Sequence, residues 1–208
     1  MRAGPGTRVP DLSGIVLAGG QSRRMGTNKA LVEVDGVPMI QRVLHALAAC
    51  CADVLVVTKD PEAYAHLGVR VVADEQRIQT PLVGVCSGLR ATATPWAFVA
   101  ACDLPFLSPE AVRLLAGLAE GFDAAVPHVD GRWHPLHAVY AAAALPALEG
   151  RLASGVRRMI TALEVLRVRP VSAGELARAD STLRTLDNIN TSADRGRASS
   201  SSTGIAPM

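Results

Sequence analysis

Aromatic side chains are scarce in this chain: two Trp, two Tyr and three Phe make up 3% of its 208 residues. Rings cannot fill a core at that level. The core has to be built from Ala, Val and Leu, which the 49% hydrophobic fraction supplies. No apolar run approaches the ~18 residues of a membrane-spanning helix. The opening residues MRAGPGTRVPDLS lack the apolar stretch of a signal peptide and read as a flexible lead-in over residues 1–13. Strong charge of one sign is also missing. A net charge of +2 is too small to suggest nucleic-acid binding by bulk attraction. The four cysteines, Cys50, Cys51, Cys86 and Cys102, show no C-x₂-C pairs and so no zinc pattern. They read as small buried hydrophobes in a reducing cytosol. Two phosphate-binding fingerprints are absent as well, the Walker A loop GxxxxGK[ST] and the dinucleotide motif G-x-G-x-x-G.

What is present begins at Gly14. The run GIVLAGGQSRRMGTNK carries a short apolar strand, Ile15-Val16-Leu17, into Ala18-Gly19-Gly20, then into a polar loop with Arg23 and Arg24 and a lysine, Lys29, at its far end. Glycines let backbone N–H groups approach an anion closely, and successive N–H groups form a concave anion site. The flanking arginines and lysine can grip phosphate oxygens. The plainer reading is a glycine turn with solvated arginines.

Strands are expected at Gly14–Leu17, Val54–Thr58, Val69–Val72, Ala97–Ala101 and Ala124–Pro127, with His137–Tyr140 and Val165–Val171 further on. Helical stripes cover Met39–Cys51, Pro81–Ala93 and Pro109–Glu120, then Ala141–Glu149 and Val156–Leu163. Ser108 before Pro109 is a helix start signal, and Val129-Asp130-Gly131-Arg132 is a hairpin turn. Strands alternating with helices give an α/β fold, a mostly parallel sheet with helices on both faces. One domain over residues 14–194 is expected, followed by a Ser/Gly/Ala-rich tail, RGRASSSSTGIAPM, at 195–208 that reads as disordered.

Asp103 follows the apolar run FVAA and precedes Leu104-Pro105, which stops the strand. A carboxylate there stands at the sheet's carboxyl edge, where open α/β sheets bind ligands. Mg²⁺ takes one or two carboxylates plus phosphate oxygens and water, so Asp103 suits it; a turn or cap aspartate is the alternative. Asp74 ends a second strand in the same way, with a solvated turn aspartate again the alternative. His134 is either a loop histidine or a group near a substrate phosphate. Asn188 and Asn190 either cap helices or present amides to a ligand. Arg157 and Arg158 lie on a helical stripe as a solvated face, or as partners for a phosphate.

The segment LAGGQSRRMGTNKALVEVDGVPMI resembles the amino-terminal signature LAGGxSxRMGxxK of the molybdenum cofactor guanylyltransferases, the MobA family. Asp74, Pro81-Leu82-Val83-Gly84, Cys102-Asp103-Leu104-Pro105-Phe106, His134-Pro135 and Asn188-Ile189-Asn190-Thr191 follow in the family's order, over residues 14 to 194. The resemblance implies a Rossmann-like nucleotidyltransferase domain that transfers GMP from GTP to Mo-molybdopterin with Mg²⁺. It assigns Leu17, Ala18 and Gly19 to guanine and ribose through their backbone groups, and Gly20 to Met25, with Arg23 and Arg24, to the phosphates. Lys29 draws charge from the transferring phosphoryl group, Asp103 holds the metal, and Asp74 contacts the nucleotide. His134, Asn188 and Asn190 fall near the second substrate. It also implies a cytoplasmic enzyme, served by proteins that deliver the pterin or mature molybdoenzymes, with no nucleic acid and no membrane. Cytidylyl transfer to the same pterin, sugar-phosphate nucleotidyl transfer and a non-catalytic nucleotide-binding module are the alternatives. The chain departs from the family pattern at Thr58, where an asparagine is common, at Thr80, where a glycine is common, and at Ser192, where a proline is common.

Overall fold

The apolar runs become strands of one sheet, and the stripes between them become the helices that cover it. The structure is a computed structural model and describes residues 7–19, 29–74 and 80–189. In chain order the strands and helices are β1 (Val9–Leu17), β2 (Glu33–Val34), β3 (Val37–Pro38), α1 (Met39–Ala48), β4 (Cys51–Thr58), β5 (Arg70–Ala73), α2 (Pro81–Ala91), β6 (Trp96–Ala101) and α3 (Pro109–Leu118). Then come β7 (Ala124–Val129), β8 (Arg132–Trp133), β9 (His137–Ala141), α4 (Leu145–Ala153), α5 (Met159–Leu163), β10 (Val168–Val171) and α6 (Ala173–Leu176).

The main sheet runs β10-β7-β9-β6-β1-β4-β5, with β8 paired to β7 outside that order. The pairs β1/β4, β1/β6, β4/β5 and β7/β10 are parallel, and β9 lies antiparallel between β6 and β7. Alternation along each strand feeds two cores. Leu12, Val16, Phe98 and Val56 pack on one face beneath α1 and α3, while Ile15, Leu55, Val99 and Tyr140 pack on the other against α2, α4 and α5. This is the period of two expected of a sheet covered on both sides.

The strand that carries the glycine run is longer than its apolar letters suggest. Residues 9–13, expected within a flexible lead-in, form the first half of β1. Val9 pairs with Cys51 and Leu12 with Trp96, and both Val9 and Leu12 are buried. Buried Ser13 meets Thr94 side chain to side chain at 2.7 Å, so its hydroxyl is not left without a partner. Cys51 begins β4 instead of ending α1. The expected helix over 156–163 shortens to Met159–Leu163, because the Arg157 guanidinium turns back onto the carbonyls of Leu152 and Val156 at 2.8 and 2.9 Å. The strand expected at Val165–Val171 is confined to Val168–Val171 and carries Pro170 on the edge of the sheet.

Two tight turns use the Asp-Gly chemistry. Asp35-Gly36 joins β2 to β3 and Asp130-Gly131 joins β7 to β8, all four residues at positive φ. Positive φ at both central residues matches the right-handed twist of the flanking strands. Thr80 caps α2 by accepting from the Val83 N–H, and Ser108 caps α3 by accepting from the Ala111 N–H, each with proline at the first turn.

Gly84 and Gly88 lie on the side of α2 that faces β1. A Cβ on Gly88 would stand 2.6 Å from Ile15 Cγ2, and one on Gly84 3.3 Å from Leu17 Cδ2. The helix can lie this close to the central strand only without those carbons. Gly88→Ala should lower stability by about 1–3 kcal/mol, since Ile15 is buried and β-branched and cannot swing aside. Gly150→Ala in α4, where a Cβ meets nothing within 4 Å, should be neutral or stabilising by up to ~1 kcal/mol. Urea midpoints of the two variants against the parent decide.

Candidate active site

Crossovers from β1 run to β4 and β5 on one side, and the connection through α2 then returns to β6 on the other side of β1. The strand order therefore reverses at β1, and the ligand crevice of such a sheet opens past the carboxyl ends of its strands at that point. Leu17 lies level with Val57 on one side and Ala101 on the other. Beyond these ends is a cavity of about 660 Å³.

Backbone and hydroxyl bonds fix its floor. The Ala18 N–H donates to the Val57 carbonyl at 2.9 Å, and the Cys102 N–H to the Leu17 carbonyl at 3.2 Å. The Ala18 carbonyl accepts from the Thr58 hydroxyl at 3.2 Å and the Tyr64 hydroxyl at 3.4 Å. Ala18 thus shapes the wall with its backbone groups already engaged inside the protein. Thr58, buried at the end of β4, serves the same strand-end wiring.

Lys29 and Asp103 meet across this floor. Lys29 opens a 3₁₀ turn, Lys29–Leu31, whose Ala30 is buried. Asp103 lies just past β6, and its carbonyl accepts from the Ile189 N–H at 3.0 Å. The Lys29 ammonium donates to Asp103 Oδ2 at 2.7 Å, with the two side chains 24% and 18% exposed. Beside them, burial and the Asp103 charge push the Cys102 thiol up to about 12, which keeps it protonated and inert. Leu17, Ala18, Gly19 and Asp74 line the same cavity, so with Lys29 and Asp103 the structure brings together six of the expected residues. Gly20, Arg23, Arg24 and Asn190 lie outside the described residues, as do Glu75 to Gln79 and the tail from Arg195.

Two expected residues stand off the cavity. His134 sits in the turn between β8 and β9, two residues before the lining residue Leu136. Burial and the Arg132 charge hold its imidazole below the usual histidine range. Asn188 is exposed beside Ile189, whose N–H bonds Asp103. The sequence reading passed over Lys59 and Tyr64, which also line the cavity. Lys59 directly follows β4, so its place past a strand end was a usable signal.

Residues 14–168 match the model of the MobA-like NTP transferase domain. The chain belongs to that family. It is 37% identical over 186 residues to a probable molybdenum cofactor guanylyltransferase of Pelotomaculum thermopropionicum, covering 89% of this chain and 91% of that protein. It is 34% identical over 189 residues to the molybdenum cofactor guanylyltransferase of Desulfosudis oleivorans, covering 90% and 94%. The crystal structure of molybdopterin-guanine dinucleotide biosynthesis protein A from Archaeoglobus fulgidus superimposes with a TM-score of 0.80 at 30% identity, covering 93% of this chain and all of that one.

Among the described residues no cluster of three or more His, Cys, Asp or Glu side chains is arranged to hold a metal. One or two carboxylates completed by phosphate oxygens and water is the pattern of Mg²⁺, and Asp103 in the crevice fits it.

Behind the MobA-like crevice, a buried contact ties the last described segment to the sheet. His137 Nε2 lies 2.7 Å from the Thr185 hydroxyl, which also accepts from the Ser108 N–H at 3.1 Å. The ring stands edge-on to Phe98, and its Nδ1 is buried without a hydrogen-bond partner. Burial holds the His137 pKa down to about 4. An unfolded chain would bind that proton near pH 6.5, so stability should fall as pH drops from about 6.5 towards 4. The contribution is on the order of 3 kcal/mol. Urea midpoints against pH should slope less steeply over that window in His137→Gln than in the parent; parallel curves would remove His137 from the account.

Proposed function

We propose that this enzyme transfers the GMP group of GTP to the phosphate of Mo-molybdopterin, giving the molybdopterin guanine dinucleotide and pyrophosphate. The Lys29–Asp103 pair in the switch-point cavity carries the reading, because a cation and a metal-seeking carboxylate meet there at the mouth of a nucleotide-sized space. The relatives named as guanylyltransferases favour guanine over cytosine and over a non-catalytic module. Among the described residues no helix is long and apolar enough to cross a membrane. A cytoplasmic enzyme that meets pterin-delivering and molybdoenzyme-maturing proteins is consistent with that.

In this reading the walls near Gly19 and Asp74 receive guanine and ribose. Gly20, Arg23 and Arg24 are assigned to the phosphates on the sequence alone, and Lys29 would join them there. A phosphate oxygen of the pterin attacks the α-phosphorus; the new O–P bond forms as the bond to the β-phosphate oxygen breaks, and pyrophosphate leaves with the negative charge. Bound Mg²⁺ would neutralise charge on the α-phosphate and the leaving group. Asp103 would hold the cation, and Lys29 follows the charge as it moves to pyrophosphate. The attacking phosphate is already anionic, so no strong base is needed. His134 and Asn188 are assigned to the acceptor side in this reading, as is Asn190 on the sequence alone.

Pyrophosphate release measured with each of the four NTPs and Mo-molybdopterin tests the reaction. Release with GTP alone is expected, and equal turnover with CTP would overturn the guanine assignment. Asp103→Asn should keep its fold and lose on the order of 10²-fold in kcat/KM. Lys29→Ala should lower kcat as well as kcat/KM. If instead only KM rises, and added salt hides the rise, Lys29 merely steers the nucleotide.

A further inference from the structure

The cation on Asp103 in this structure belongs to the protein itself. Lys29 and Asp103 are 74 positions apart, and their contact joins the turn at Lys29–Leu31 to the end of β6. At 2.7 Å it is a charge-assisted hydrogen bond, with at most a quarter of either side chain open to solvent. A divalent ion would sit at 2.0–2.1 Å from a carboxylate oxygen of Asp103, which puts it against the ammonium on the same group. Two cations cannot share so small a space without strong repulsion. Asp103 stands outside any cluster of three or more acidic, His or Cys side chains that would strengthen the metal's claim, among the described residues.

We propose that Lys29 is the resident counter-ion of the metal carboxylate: it occupies the cation position on Asp103 until a nucleotide arrives, so the divalent metal enters with the triphosphate and not before it. The inference rests on the assignment of Asp103 as the metal carboxylate. The triphosphate resolves the competition from both sides. Its oxygens complete the metal's coordination, and its negative charge gives the ammonium a stronger partner than a single carboxylate. Lys29 is then released from Asp103 onto the phosphates in the same step that admits the metal. The exchange spares the free enzyme two costs, a carboxylate left unpaired in a partly buried cavity and a metal held without its substrate.

Mn²⁺ binding to the full chain without nucleotide, followed by loss of the free-ion electron paramagnetic resonance signal, tests this. Lys29→Met should bind Mn²⁺ about tenfold more tightly than the parent, the scale of one hydrogen bond to a charged group. Lys59→Met removes an equal charge from the same cavity and should gain markedly less. The double variant Lys29→Met with Asp103→Asn should lose the gain. Lys29→Gln serves in place of Lys29→Met if that variant melts early by circular dichroism. A gain at Lys29 no larger than at Lys59 overturns the proposal, and so does a gain that survives in the double variant. The metal assignment has its own check. Retention of Mn·GTP by Asp103→Asn at parental affinity would remove Asp103 as a metal carboxylate, whatever Lys29 does.

Discussion

Because β1 is hydrogen-bonded along both edges, its carboxyl end is the most constrained point of the sheet, and the crevice is built outward from it. The Leu17 and Ala18 backbones bond to Cys102, just past β6, and to Val57 on β4. That bonding sets the distance between the β4 side of the cavity, with Thr58 and Asp74, and the β6 side, with Asp103. Gly84 and Gly88 let α2 close one face of the strand, and Gly14 meets Leu47 of α1 on the other face, where a Cβ would lie 3.1 Å away. Of the three, Gly88 is the least replaceable, at 2.6 Å from Ile15, whereas Gly84 and Gly14 would ask their neighbours Leu17 and Leu47 to give by a few tenths of an ångström.

Electrostatics is added to this frame at one place. Most ion pairs of the described residues are solvent-facing, such as Arg70 with Asp53 or Arg167 with Asp123, and contribute little. Lys29 with Asp103 is drawn into a walled crevice, where a lower local dielectric makes the same contact stronger and its rearrangement more consequential. The loop that carries Asp103 is braced from behind by Ile189 and, through Ser108 and Thr185, by His137 on β9. The backbone of that loop is thereby braced by the segment around Thr185 and Ile189, while Lys29 meets the carboxylate itself.

Much of this was legible in the sequence. Asp103 could be placed because an unbroken apolar strand runs straight into it and Pro105 stops the strand. Asp74 and Lys29 could be placed by the same strand-end logic and by the glycine run. The limits of β1 could not, since Pro10 and Asp11 mask a strand whose Val9 and Leu12 acquire partners only through distant pairing with β4 and β6. Strand direction carries no local signature, so β9 read as one more strand and its antiparallel course was hidden. His137 sat inside that apolar run without distinction; its partner Thr185 is 48 residues away. Arg157 looked like a helical surface residue because nothing in its neighbours announces that it folds back onto α4.

The outer strand β10 has a bearing on how the molecule behaves among its copies. An open parallel sheet ends in unpaired peptide groups, which invite a strand from a neighbour. On β10 the proline at position 170 has no N–H to offer. Arg169 bonds to Glu175 and to the Pro170 carbonyl, so guanidinium groups occupy the same border. A protein whose sheet is so largely aliphatic inside is thus guarded on this side against growing into a fibre or an edge-to-edge aggregate. The guard is local and steric, and does not draw on net charge, which is only +2.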